Sequence, residues 1–199
     1  MCSVLARAPG RRHNTETSGL VSTLLRVCVM KRRLVGFAFA LAVLLIDQLS
    51  KALVLYKLNL PERGTIHILP VLNFVMVWNH GVTFGMFSDA NAVSLFVLVA
   101  TAAVVALATW LWRTDGMITT LALGAIIGGA VGNVISRIQY GAVVDFIEFH
   151  VGRFAWYVFN LADAAIVCGV FVLIAENLLR REITTVPLQR NEPGDKETS

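Results

Sequence analysis

The chain has 199 residues, 56% of them hydrophobic and only 15% charged, with a mean hydropathy of +0.69. That balance excludes an ordinary soluble globule and favours an integral membrane protein with most of its mass in the bilayer. The net charge is +4, and its clusters, Lys31-Arg32-Arg33 and Arg180-Arg181, are too short and too poor in aromatics for nucleic acid binding; they read as juxtamembrane anchors.

Residues 1–29 are weakly patterned and read as an N-terminal extension that is either disordered or an over-long reading of the start. Met30 is followed by KRRLVGFAFALAVLLI, a basic flank leading into an apolar run. Ala38-Phe39-Ala40 imitates a leader cleavage site, but it falls inside the run and more spans follow, so a retained first span is expected. That span ends in DQLSK, where Asp47 and Lys51 lie four apart on one helical face with the acid first. They read either as a neutralised pair at the membrane boundary or as a brace beside a site.

An insertion at about 57–90 contains TIHILPVLNFVMVWNHGVTFGMF. Ile66 and Ile68, then Leu72, Phe74, Met76 and Trp78, alternate at the period of a strand. Pro70 interrupts the run, and Asn79-His80-Gly81 supplies turn chemistry. A small β-rich element at the outer membrane surface is expected here. The second span is read from Ala92 to Trp112 and the third from Met117 to Ile135, joined by a tight turn at Arg113–Gly116. Gly124, Gly128 and Gly132 make one smooth stripe on the third span, suited to close helix packing. Asn133 and Arg137, again four apart, continue beyond it.

YGAVVDFIEFH follows as a connecting loop. Val143, Val144, Phe146 and Ile147 would desolvate Asp145, while Glu148 looks better solvated. The fourth span is read from Trp156 to Leu179, with Asn160 and Asp163 on one face and Asp163 roughly 10 Å along the helix. Residues 182–199 form a polar tail, expected to be disordered. Basic clusters at both ends of the 30–181 core place both termini in the cytoplasm.

The three cysteines, Cys2, Cys28 and Cys168, are scattered without a CxxC pair, which argues against a disulfide framework and a zinc site. His67, His80 and His150 lack metal-ligand spacing, and no GxSxG or Ser–Lys nucleophile system is present. What remains is Asp145 and Asp163, brought to similar depth by antiparallel spans. Two carboxylates in a partly dry site share one proton, an arrangement suited to peptide hydrolysis. A small proton- or ion-coupled transporter using Asp47, Asp145 and Asp163 is the alternative, and a non-catalytic chaperone for lipidated proteins a third. A relay would spread its acids over several depths, whereas these cluster at one end.

Taken together, DQLSK (47–51), WNHGVTFGMF (78–87), GGAVGNVISR (128–137), GAVVDFIEF (141–149) and FNLADAAI (159–166) resemble, in order, the blocks of the lipoprotein signal peptidase (signal peptidase II) family. The similarity runs from about Lys31 to Arg181. The resemblance implies an all-α polytopic membrane protein of four transmembrane helices with a small periplasmic β-cradle, in the bacterial inner membrane. It implies an aspartyl endopeptidase without cofactor or metal, cutting diacylglyceryl-prolipoproteins before the lipidated cysteine and blocked by globomycin-like cyclic peptides. Asp145 and Asp163 match the catalytic dyad; Asp47, Lys51, Asn79, Gly81, Asn133, Arg137 and Asn160 match positions that line or support the site. One departure is Ser136, where the family commonly has aspartate.

Overall fold

Apolar runs that cannot hydrogen-bond to lipid must close their backbone bonds within themselves, and here they do so as helices. The computed structural model describes residues 15–81, 90–152 and 154–185. Helix α1 spans Thr15–Ala52 and widens into a π-helical turn over Leu53–Lys57; a short α2 (Leu60–Arg63) leads into strands β1 (Thr65–Leu69) and β2 (Leu72–Asn79). Then come α3 (Ala90–Arg113), α4 (Met117–Tyr140), β3 (Val143–Val151), β4 (Phe154–Ala155) and α5 (Leu161–Thr185). Four helical stretches are long and apolar enough to cross a membrane: Val21–Lys57, Val93–Arg113, Met117–Tyr140 and Leu161–Arg180. The chain is a multi-pass membrane protein with a small antiparallel sheet at one end of the bundle.

α4 is the central helix. Its glycine stripe meets α1: a Cβ on Gly124 would lie 2.7 Å from Gly36 O, and one on Gly128 would run into Ala40 O. Gly129, on another face, abuts Ala162 O of α5 at 2.5 Å from where its Cβ would stand. Backbone thus packs against backbone, as small residues allow in a bilayer. The outward faces of α1, α3 and α5 expose Leu41, Leu98, Val99, Val167 and Phe171, which lipid must cover.

The sheet has the order β1-β2-β3-β4, all antiparallel. Val54 and Leu55 of the π-turn and Leu60 of α2 bury themselves against Val144 and Phe146 of β3. Phe74 meets the Phe146 ring edge-on with centroids 5.5 Å apart. This small core ties the sheet to the C-terminal end of α1.

Several details differ from the sequence expectations. Helix α1 begins at Thr15, so residues 15–29 are helical, while 1–14 and the tail from 186 lie outside the described residues. Residues 82–87 of the WNHGVTFGMF block also lie outside them. The connection after α4 is not a loop: nine of its residues form β3, which pairs with β2. The sheet therefore draws strands from beyond 57–90. Cys168 is free, whereas Cys28 is disulfide-bonded, against the expectation from the scattered cysteines.

Candidate active site

Asp145 reaches the site from β3. Gly141 ends α4 with φ 71° and its N–H on Arg137 O at 2.9 Å. That left-handed turn, easy only for a residue without Cβ, sends the chain straight back as a strand. Asp145 pairs with Val77 across the ladder and is fully buried, on the strand face opposite Val144 and Phe146. Both oxygens accept amide protons: Oδ2 from Asn79 Nδ2 at 2.9 Å, Oδ1 from Asn160 Nδ2 at 2.6 Å. Burial nonetheless pushes the Asp145 carboxyl above the usual carboxylate range; the Asn79 donor opposes this, and the charge of Asp163 adds to it.

Asp163 is placed differently from the sequence expectation. The segment from Trp156 to Phe159 is extended, with Phe159 bridged to Ile147, and the helix begins only at Leu161. Asp163 is therefore in the first turn, not seven residues into a span. Asn160 is the N-cap: its Oδ1 accepts the Asp163 N–H at 3.0 Å, while Asp163 Oδ2 accepts the Asn160 N–H at 3.3 Å. This reciprocal pair is a capping box built from Asn and Asp. A carboxylate there also faces the positive end of the helix dipole.

The predicted site residues meet in one network. Asn133 Nδ2 donates to Asp163 Oδ1 at 2.8 Å, and its Oδ1 accepts from Asn160 Nδ2 at 3.2 Å and Lys51 Nζ at 3.3 Å. Lys51 Nζ also pairs with Asp47 Oδ2 at 2.8 Å, both side chains being almost fully buried. Asp47 Oδ1 in turn accepts the N–H of Ala162 at 3.0 Å, so an acid on α1 caps the start of α5. Asp47 and Lys51 are thus a neutralised buried pair that also touches Asn133 and the start of α5. Asn79 Oδ1 takes the Gly81 N–H at 2.9 Å, with Gly81 at φ 86°. Among the described residues, the Arg137 guanidinium lies 5.6 Å from the Phe96 ring centroid and donates one long bond, Nη1 to Asn133 O at 3.5 Å. Its Nε is buried with no acceptor among the described residues. Ser136 is fully buried and turned inward, donating to Gly132 O at 3.2 Å instead of reaching Arg137.

Two side chains outside the sequence-derived set belong here. Gln48 Nε2 donates to Asp47 Oδ2 at 3.0 Å and Gly132 O at 3.1 Å. Tyr157 accepts from Asn79 Nδ2 at 3.3 Å. Gln48 was readable as a polar neighbour of Asp47; Tyr157 looked like an interfacial aromatic and gave no other signal. Asp163 opens on a cleft of about 330 Å³ lined also by Trp156, Tyr157, Phe159, Ala164 and Val167. A second cleft, about 690 Å³, runs between α3 and α4 past Val97, Leu98, Arg137 and Ile138. Two carboxylates, one deep and one at a cleft, are thus held by a shared asparagine near the Arg137 guanidinium.

The pattern of the family described as Signal peptidase (SPase) II matches residues 39–179. A lipoprotein signal peptidase of Nitrobacter hamburgensis is 43% identical over 158 residues, covering 76% of this chain and 96% of that protein. One from Methylobacterium sp. (strain 4-46) is 42% identical, covering 75% and 92%. Two bacterial membrane enzyme structures determined by the in meso method share the fold. The 2.3 Å structure has TM-score 0.64 at 24% identity, covering 80% of this chain and 94% of that one. The 1.9 Å structure has TM-score 0.64 at 26% identity, covering 72% and 92%. The chain belongs to the signal peptidase II family and is a membrane-embedded peptidase.

Proposed function

We propose that the protein is an aspartyl endopeptidase that removes signal peptides from diacylglyceryl-modified prolipoproteins, cleaving before the lipidated cysteine. The observation that carries this reading is the buried Asn160, which binds Asp145 through its side chain and Asp163 through both side chain and backbone. Relatives named lipoprotein signal peptidase supply the substrate class. On this reading the protein lies in the bacterial inner membrane with both termini cytoplasmic and the sheet periplasmic. Globomycin-like cyclic peptides would compete for the same site.

The two carboxylates divide the work by environment. Asp145, desolvated, enters the cycle protonated and gives its proton to the scissile carbonyl oxygen. Asp163, beside the cleft, takes a proton from water as the water oxygen attacks the carbonyl carbon. The resulting tetrahedral diol collapses as the C–N bond breaks: one hydroxyl returns its proton to Asp145 as the carbonyl reforms, and the amide nitrogen receives the proton from Asp163. The Arg137 guanidinium is suited to hold a substrate carbonyl. The acyl chains stay in lipid or in the apolar clefts, where burial contributes about 0.8 kcal/mol per methylene.

Asp145→Asn and Asp163→Asn test the reading. Each is expected to bind a diacylglyceryl peptide and leave it uncut, with loss of at least about a thousandfold in kcat. Undiminished cleavage by either variant, or equal cleavage of an unmodified peptide, would sink the assignment.

A further inference from the structure

At the end of the bundle away from the sheet, two adjacent arginines of α1 are used differently. Arg32 Nη1 donates to Asp115 O at 2.8 Å, and its Nη2 donates to Thr114 O at 3.0 Å and pairs with Asp115 Oδ1 at 2.7 Å. It thereby fastens the α3–α4 turn. Arg33 makes no hydrogen bond or ion pair among the described residues. Its guanidinium carbon lies 4.4 Å from the Trp112 ring centroid, and its Nε is buried without an acceptor. Trp112 is held in place by Phe37, with ring centroids 6.4 Å apart.

We infer that Arg33 and Trp112 form a binding site for the phosphate of an anionic phospholipid. A guanidinium lying on an indole gives its face to the ring and keeps its N–H edge for an oxyanion, which it can grip with two parallel bonds. Arg33 Nε is covered by protein, as is Arg32 Nε, so an oxyanion would meet the terminal Nη groups, for which Arg33 has no acceptor among the described residues. Basic groups predominate here: Lys31 and Arg32 adjoin Arg33, Arg113 follows Trp112, Arg26 lies seven residues before Arg33 on the same helical face, and Glu176 by the turn is paired with Arg180. Asp115, across the turn, is already engaged by Arg32. A zwitterionic headgroup would carry its own cation into this cluster, so a net negative one fits better. A lipid fits better than a soluble anion because exposed Trp112 and Phe37 offer an apolar shelf where the first span starts.

The test uses the full chain in zwitterionic detergent, titrated with phosphatidylglycerol and followed by thermal unfolding. Saturable stabilisation is expected, with its midpoint shifted roughly tenfold or more by Arg33→Gln and also weakened by Trp112→Leu. Arg33→Lys, which keeps the charge but loses the planar fork, should fall between. Peptidase activity without added lipid should stay at the wild-type level in the Arg33 variants, marking an intact fold. An unchanged midpoint in Arg33→Gln overturns the site, and wild-type behaviour of Arg33→Lys reduces it to diffuse charge attraction. Equal stabilisation by phosphatidylcholine overturns the anionic preference, and equal stabilisation by inorganic phosphate overturns the lipid.

Discussion

At the scale of single residues, Asn160 matters as much as the carboxylates it joins. Its two amide protons go to Asp145 and Asn133, its Oδ1 takes the Asp163 N–H, and its own N–H and C=O serve Asp163 and Ala164. Asn160→Ala loses the cap, about 1 kcal/mol, and strands buried partners at about 1–3 kcal/mol each. Its melting temperature in detergent should fall together with activity, the latter by about a hundredfold or more because both carboxylates lose their placement. Asp145 sets a pH dependence. An acid with a raised folded-state value keeps its proton where the unfolded chain has lost it. Stability therefore falls as pH climbs from the ordinary carboxylate value to the raised one, and levels off above it. On the proposed mechanism the alkaline limb of kcat/KM reports the same proton. Asn79→Ala removes a donor that favours the carboxylate, so that limb should move to higher pH. Asp163, Asn160 and Asn133 were legible as polar residues in or beside apolar runs, and Asp145 as an acid with apolar neighbours in sequence. The capping box was not, because WYVF before it is as apolar as the helix after it, and hydropathy cannot separate an extended approach from a span.

At the scale of elements, α4 works as a spacer whose two faces set the distances to α1 and α5. Gly128→Leu would drive a side chain into Ala40 O, and Gly129→Val would press on Ala162 O. Because the obstacle in each case is backbone, each should cost about 1–3 kcal/mol of stability. The two should differ in activity. Gly129→Val displaces the first turn of α5, which carries Asp163, so its kcat should drop further than that of Gly128→Leu at matched stability. The glycine stripe was plain in the sequence, since its four-residue spacing has one simple use in a bilayer. β3 was not: VVDFIEFHV alternates poorly and is buried on both sides near Asp145, so it lacks the period that announced β1 and β2.

At the scale of the whole molecule, cohesion is uneven. α4 carries most of the buried spans' contacts, whereas α3 buries Leu111 and leaves Leu95, Leu98, Val99 and Val105 outward. With so little protein holding it, α3 depends on lipid for much of its order. Hydrogen exchange followed by mass spectrometry should find amides over 97–108 exchanging at least about tenfold faster than those over 122–133 in detergent, with the gap narrowing in a bilayer. Equal rates would mean that α3 is held by something other than lipid. Span number was legible because length and hydropathy dictate it, and β1 and β2 because their side chains alternate. The shape of the sheet was not, because its strands come from two separate connections and meet only once α4 has turned the chain back.

The saturation of Asn160 also bears on pharmacology. A side chain with every polar atom committed has no substitute: aspartate would bring a third acid and no amide donors, glutamine is too long, and serine is too short. A compound shaped to Asp163 as Asn160 holds it would therefore confront its target with a choice between inhibition and self-inactivation. Resistance would have to arise at the rim, around Trp156 and Tyr157, where change is cheap.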